Sequence, residues 1–241
     1  MVNKTRGIVL HQFRYSDSSV IVHVYTEHFG RQSFIINGSR NRKTKGRIKL
    51  SQPLSIIDME VYIKSSREIH RVKEISIHIP YLQIPYHPVK NAIALFIAEI
   101  LYKTLREEET NTSLFEFLTN SFQVLDISEQ GFANFHPVFL MNLSKHLGFY
   151  PLNNFSEEKS IFDMKNGKFV EADPGHPATL KPPHSRHIAT LQTLNYDNMS
   201  SLSLNGSQRN RLLEILIDYF RIHIESMGEV KSIKVLHSVF S

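Results

Sequence analysis

"EIHRVKEISIHIPYLQIPYHPVKNAIALFIAEILYKTLREEE", residues 68–109, changes its hydrophobic period part-way along. As far as Ile79 it alternates, with Ile69, Arg71 and Lys73 against His70, Val72 and Glu74, then Ile75, Ile77 and Ile79 on one parity. Alternation marks a half-buried strand, and its slip near Glu74 is what a β-bulge produces. From residue 87 the apolar positions Ile93, Phe96, Ile97, Ile100, Leu101 and Leu105 recur at three- and four-residue steps. That spacing predicts an amphipathic helix, with Pro88 near its start, where a missing N–H costs nothing.

Everything before this junction reads as β. "GIVLHQFRY" (7–15), "SVIVHVYTE" (19–27), "RQSFIIN" (31–37) and "LSIIDMEVYIK" (54–64) are rich in β-branched and aromatic residues, and "SDS", "HFG" and "SSR" supply turns. With residues 68–79 this makes five strands in about 80 residues and one long connection, between the third and fourth. Such a count suits a small closed barrel. The five-stranded OB-fold is the commonest answer and usually binds oligonucleotides, and an SH3-like barrel fits the pattern nearly as well.

Everything after it returns to the helical period. Ser113 stands three residues before Glu116, a capping-box pattern; "FANFHPVFLMNLSKHLG" carries Phe139, Leu143 and Leu147 on one stripe, with Pro137 in its first turns and Gly148 as its stop. Residues 149–187 are irregular, with prolines at 151, 174, 177, 182 and 183 and a hairpin expected around Asn166-Gly167. "SRHIATLQTLNY" precedes a long helix in 207–227, expected to be capped by Ser207, and "VKSIKVLHSVF" closes the chain. The expected architecture is therefore an α+β, multidomain chain: an OB-fold barrel over residues 1–80, then a helical domain over 81–241 with an irregular, hairpin-containing insertion at 149–187.

Composition narrows the chemistry. The 241 residues contain no cysteine, which excludes disulfides, thiol nucleophiles and thiolate metal sites. No apolar run approaches the roughly 18 residues that span a bilayer, and the N-terminus shows no signal-peptide pattern, so a cytoplasmic protein without membrane contact is expected. His176, His184 and His187 cluster near Asp173, but their spacing follows neither helix nor strand, and surface histidines are the better reading. No phosphate-binding glycine loop, nucleophile elbow or metalloprotease motif is present. No catalytic residue, cofactor or metal is expected; the pattern is not that of an enzyme.

Charge is informative instead. Residues 1–80 hold 14 Lys/Arg against 6 Asp/Glu, a balance of +8, whereas residues 81–241 hold 14 against 17, a balance of −3. The excess concentrates in "NGSRNRKTKGRIK" (37–49), where Arg40, Arg42, Lys43, Lys45, Arg47 and Lys49 stand without an acidic neighbour. Like charges at that density repel unless a polyanion or counterions screen them. Lys4, Arg6, Arg14 and Arg31 add to this set, and Phe13, Tyr15, Tyr25, Phe29 and Phe34 are interleaved with them. Cations for phosphates and ring faces for unpaired bases are what single-stranded nucleic acid requires. Each aromatic, above all Phe13, Tyr15, Tyr25 and Phe34, either stacks bases or faces into the barrel.

At this level the chain resembles RecO, the bacterial DNA-repair and recombination mediator family. The resemblance runs through Ile8, Val9, Leu10, Asp17, Ser18, Thr26, Glu27, Gly30, Arg31, Gly38 and Arg40, continues in Leu50, Gln52 and Pro53, and recurs in "LFEFL", "FLMNLSKHLGFYP" and the terminal "VKSIKVLHSVF". It implies an OB-fold followed by a helical domain. It also implies binding of single- and double-stranded DNA, strand annealing, contact with RecR and with the tail of single-strand-binding protein, and indirect action on the RecA filament. A bacterial cytoplasmic protein that joins the nucleoid during repair follows from the same resemblance. Some family members carry a cysteine zinc site after the Leu-Gly-Tyr/Phe motif; here "PLNNFSEEKS" follows Gly148-Phe149-Tyr150, and no zinc is expected. The alternative is an OB-fold module, also non-catalytic, that binds RNA or another acidic partner. Replacing the six cations of 40–49 by Ala should weaken DNA binding and flatten its salt dependence by up to about 0.7 per lost single-strand phosphate contact. An unchanged slope in a salt titration would refute the assignment.

Overall fold

β-Branched residues alternating with polar ones build five strands at the start of the chain: β1 (Asn3–Arg14), β2 (Ser19–Thr26), β3 (Gly30–Asn37), β4 (Ile56–Tyr62) and β5 (Ile69–Ile79). A computed structural model describes residues 2–17, 19–37, 52–64, 66–106 and 108–240. The strands close into a barrel in the order β1-β2-β3-β5-β4, antiparallel throughout except between β3 and β5. This OB-like barrel is followed by helices. Val9, Val22, Val24, Phe34, Ile36, Ile57, Met59, Val61 and Ile75 fill its interior. The register slips three times, once where His78 is the extra residue between Ile77 and Ile79. Leu10 is the extra residue between Val9 and His11, and Lys73 the extra one between Val72 and Glu74, where the sequence pattern places a bulge.

The β3–β5 pairing that closes the barrel spans only Ser33–Ile69, Phe34–His70 and Ile35–Arg71. A buried polar pair reinforces it: His70 Nε2 lies 2.9 Å from Gln32 Oε1, and Gln32 Nε2 donates to the Phe29 carbonyl at 2.8 Å. Because Gln32 uses its amide N–H2 on Phe29, its oxygen accepts, so His70 carries its proton on Nε2. His70 Nδ1 then accepts from the Lys64 N–H at 3.5 Å, a long bond.

Two helices belong to the same compact unit as the barrel, Met1–Ile127: α1 (Pro88–Thr104) and α2 (Thr112–Ile127). The domain boundary expected from the sequence lies at 80/81, while packing divides the chain at 127/128. The α2 start corrects the expected capping box: Asn111 Oδ1, not Ser113, accepts from the Leu114 N–H at 2.9 Å. Asn is a strong N-cap and stands where the chain turns, so the helix starts earlier than the Ser-x-x-Glu pattern suggests. The link into α1 is pinned by the buried Asp126, whose carboxylate accepts from the N–H groups of Leu82, Gln83 and Ile84 at 2.8–2.9 Å. Lys90, with no solvent exposure, donates to Gln83 Oε1 and to the Asp126 carbonyl. Gly30 adopts φ +58°, and a Cβ there would meet the Glu108 and Glu109 carbonyl oxygens at 2.6 Å, so only glycine fits.

The second unit, Ser128–Ser241, contains α3 (Phe135–His146), α4 (His184–Gln192), α5 (Gly206–His223) and α6 (Ile233–Val239). α3 contacts α5, burying Phe139, Leu140, Leu143, Leu212, Leu213, Leu216 and Phe220. α3 ends in a Schellman motif, in which Gly148 (φ +84°) donates to the Lys145 carbonyl and Phe149 to that of Ser144. α5 is capped not by Ser207 but by Asn205, in a reciprocal capping box with Gln208. The hairpin expected at Asn166-Gly167 joins β6 (Ile161–Asp163) to β7 (Lys168–Val170), and β8 (Thr179–Leu180) completes a sheet of order β7-β6-β8. On the outer side of β7, the Asn154 side chain both accepts from the Phe169 N–H at 3.0 Å and donates to its carbonyl at 2.9 Å. Among the described residues, no helix is long and apolar enough to cross a membrane.

His70→Leu strands the Gln32 amide in the barrel wall and should cost about 2–3 kcal/mol in urea unfolding. Burial holds the His70 pKa below its ordinary 6.5. The unfolded chain therefore takes up the proton first, and this contribution is intact above about pH 6.5 and declines as pH falls. Stability should fall less steeply below pH 6.5 in the variant; an identical pH profile would contradict the assignment.

Candidate nucleic-acid interface

Directly opposed residues of paired strands share a face, so the register assembles the outer surface of the barrel in rows. Phe13, Ile21, Ile35, Arg71 and Tyr62 form one row across β1, β2, β3, β5 and β4. His11, His23, Ser33 and Ile69 form the next. Phe13, Tyr62 and Ile69 are 40–43% exposed, an unusual share of large apolar surface for the outside of a barrel. Beside them the β4–β5 hairpin holds exposed Lys64, Arg67 and Arg71 around a pocket of about 330 Å³, which Tyr62, Ile69 and His70 also line. Rings and cations thus lie side by side on one face.

The imidazoles of this face are uncharged at neutral pH. Burial, with Arg31 and His11 as lesser causes, pushes the His23 pKa down to about 4. Burial also lowers that of His11, with Arg31 acting in the same sense and Glu99 opposing. His23 Nδ1 lies 3.0 Å from Ser33 Oγ. The ring centroids of His23 and Phe13 are 5.8 Å apart, and those of His11 and Phe13 6.4 Å. The two histidines therefore serve as neutral ring surface rather than as phosphate-binding cations.

Arg40, Arg42, Lys43, Lys45, Arg47 and Lys49 lie outside the described residues, which resume at Gln52 after the end of β3 at Asn37. The remaining expected cations divide by role. Arg14 is exposed at the end of β1, 3.2 Å from Asp17, next to Phe13 and the 62% exposed Tyr15. Lys4 is exposed, 3.5 Å from Glu60. It borders a separate pocket of about 440 Å³ with Arg6, Glu27, Asp58, Glu60 and Glu74, a surface of mixed sign. Arg6 forms a two-pronged ion pair with Glu27, Nε to Oε2 at 2.9 Å, and lies over the Phe115 ring at 5.3 Å. Arg31 donates through Nη1 to the carbonyls of Tyr102 and Leu105, both at 2.9 Å. Arg6 and Arg31 thus have partners within the fold, unlike the exposed Lys4 and Arg14.

Two aromatic expectations are corrected. Phe34 has no exposure because its parity points it into the barrel core. Tyr25 points outward but is 3% exposed, packed 6.4 Å from Phe115 of α2. Phe13 and Tyr15 are exposed. The sequence pattern did not single out His11, His23, Tyr62, Lys64, Arg67, Ile69 or Arg71. The basic excess of the first 80 residues included three of them, but only the strand register places them on one face.

In the second unit the three histidines do not converge. His176 Nε2 lies 3.3 Å from Asp163 Oδ1, His184 and His187 pair with ring centroids 6.2 Å apart, and Asp173 is bound to Lys181. Among the described residues, no group of three His, Asp or Glu side chains is placed to hold a metal ion.

Comparison with known proteins bears on the whole chain. Residues 1–81 match the family described as "Recombination protein O N terminal", and residues 86–232 match "Recombination protein O C terminal". Similar proteins include those named "DNA repair protein RecO" from Phocaeicola vulgatus, 42% identical, and Bacteroides fragilis (strain NCTC 9343), 40% identical, each over 241 residues covering all of both chains. A further relative of that name, from Porphyromonas gingivalis (strain ATCC 33277), is 34% identical over 244 residues.

The pH behaviour of the face is measurable. In an NMR titration the His23 ring should stay neutral through pH 6 and titrate with a midpoint near about 4. A midpoint at 6.5 would mean that the ring is solvated rather than packed.

Proposed function

Since the chain belongs to the RecO family of DNA repair proteins, we propose that it binds single- and double-stranded DNA through the outer barrel face. The observation that carries this reading is the row of Phe13, Arg71 and Tyr62 beside Lys64 and Arg67, exposed rings next to exposed cations. Bases stack on the rings, each contact contributing about 1–3 kcal/mol, while the cations neutralise phosphates and release their counterions. Arg14 and Tyr15 extend the face at the end of β1. The six cations of residues 40–49 join it on grounds of charge and family resemblance.

The function that follows is that of a mediator acting by affinity rather than by catalysis. Holding two single strands on a cationic surface reduces the repulsion that opposes their pairing, which favours annealing. The second unit, in the less basic part of the chain, then serves protein partners: RecR, and the tail of single-strand-binding protein, as steps towards loading RecA in the bacterial cytoplasm. Family membership supports these partners.

An annealing assay on complementary strands coated with single-strand-binding protein tests the reading directly. Acceleration is expected, and none would leave the mediator role without support. Replacing Lys64, Arg67 and Arg71 together by Ala should weaken binding to oligo-dT and lower the salt slope by about 2, at roughly 0.7 per contact. An unchanged slope would move the interface elsewhere. Stronger competition by structured RNA than by oligo-dT would favour an RNA-binding module.

A further inference from the structure

We propose that Tyr102, on α1, is a base-stacking member of the barrel face, and that Arg31 is the positioning residue that sets it there. The inference rests on the reading of that face as a nucleic-acid site and adds to it a residue from outside the barrel. Tyr102 sits in the last turn of α1, with its ring centroid 4.6 Å from that of His11 and 5.2 Å from that of His23. Through His23 it connects to Phe13, so four rings from β1, β2 and α1 run together without a gap. His11 and Phe13 are exposed, and Tyr102 is half-buried. A continuous surface of uncharged rings suits successive unpaired bases, each of which offers a π face.

Arg31 explains how a helical residue reaches this surface. The carbonyls of a helix's last turn lack partners within the helix and carry the negative end of its dipole. Arg31 Nη1 donates to one of them, on Tyr102, and to the carbonyl of Leu105, the residue that caps the helix, while its guanidinium lies 4.6 Å from the centroid of the Tyr102 ring. Both hydrogens of Nη1 are therefore used. A phosphate could draw on them only by releasing the end of α1. One side chain of β3 thereby fixes both the backbone and the ring of Tyr102.

The two roles open to Arg31 differ in salt dependence. A residue that touches phosphate sets part of the slope of log affinity against log salt, and one that only positions a ring does not. Anisotropy of labelled oligo-dT across a salt series, with the full chain, separates them. Tyr102→Leu should weaken binding about 5- to 150-fold with an unchanged slope, and Tyr102→Phe should bind like the unmodified protein. Arg31→Met should also weaken binding at unchanged slope, and the double variant should bind no more weakly than Tyr102→Leu alone. Tyr102→Leu binding as tightly as the unmodified protein would overturn the stacking role. A slope lowered by about 0.7 in Arg31→Met, additive with Tyr102→Leu, would overturn the positioning role. If a thermal melt shows Arg31→Met unfolded, the contrast between Leu and Phe at 102 decides. Failure of the unmodified protein to bind would instead remove the face itself as a nucleic-acid site.

Discussion

The short parallel pairing of β3 with β5 is the constraint on which the first unit depends. Three opposed residue pairs close the barrel, and without them β5 would remain at the edge of a sheet, with Ile69 and Arg71 far from Phe13. The His70–Gln32 pair inside this seam has a specific energetic character. A buried hydrogen bond adds little net stability, but a misregistered strand would bury either group unpaired and pay the full desolvation cost. The pair therefore specifies register more than it adds strength. In a strand a one-residue slip turns every side chain to the other face, so register decides which residues meet the solvent.

Much of this architecture was legible in the sequence. Alternation located five strands, the parity slip at Glu74 marked a real bulge, and the three- and four-residue spacing after residue 87 located α1. The misses have physical causes. Phe34 and Tyr25 stayed open between base stacking and burial because composition carries no parity. Phe34 is set inward by its strand, and Tyr25 is covered by a helix distant in sequence. The helix starts at Asn111 and Asn205 were passed over for nearby serines, since each stretch offers several hydroxyl and amide caps within a few residues. The face itself was the least legible part, because Phe13, Arg71 and Tyr62 share a row only once four ladders are in register.

Charge counting located the basic third of the chain and treated its cations as equivalent. Of the four counted cations outside 40–49, Arg6 is held by Glu27 and Arg31 by helix carbonyls. The planar guanidinium, with five fixed donors, suits such architectural tasks better than a lysine would. Lys64, Arg67 and Arg71 carry the exposed charge of the β4–β5 hairpin instead. A basic domain thus spends some of its arginines on its own framework, and net charge measures long-range attraction better than it identifies contacts.

The small sheet of the second unit shows the opposite economy. β7 is three residues long, and in an antiparallel ladder only its middle residue, Phe169, turns its N–H and carbonyl away from β6. The Asn154 amide occupies both groups. No backbone donor or acceptor on that side is left to recruit an incoming strand, so the sheet is terminated there by a side chain acting as a one-residue strand. Strand addition, the commonest route by which small exposed sheets polymerise or capture extended peptides, is closed at β7. A partner that engages this unit at that edge must therefore recognise side chains rather than backbone.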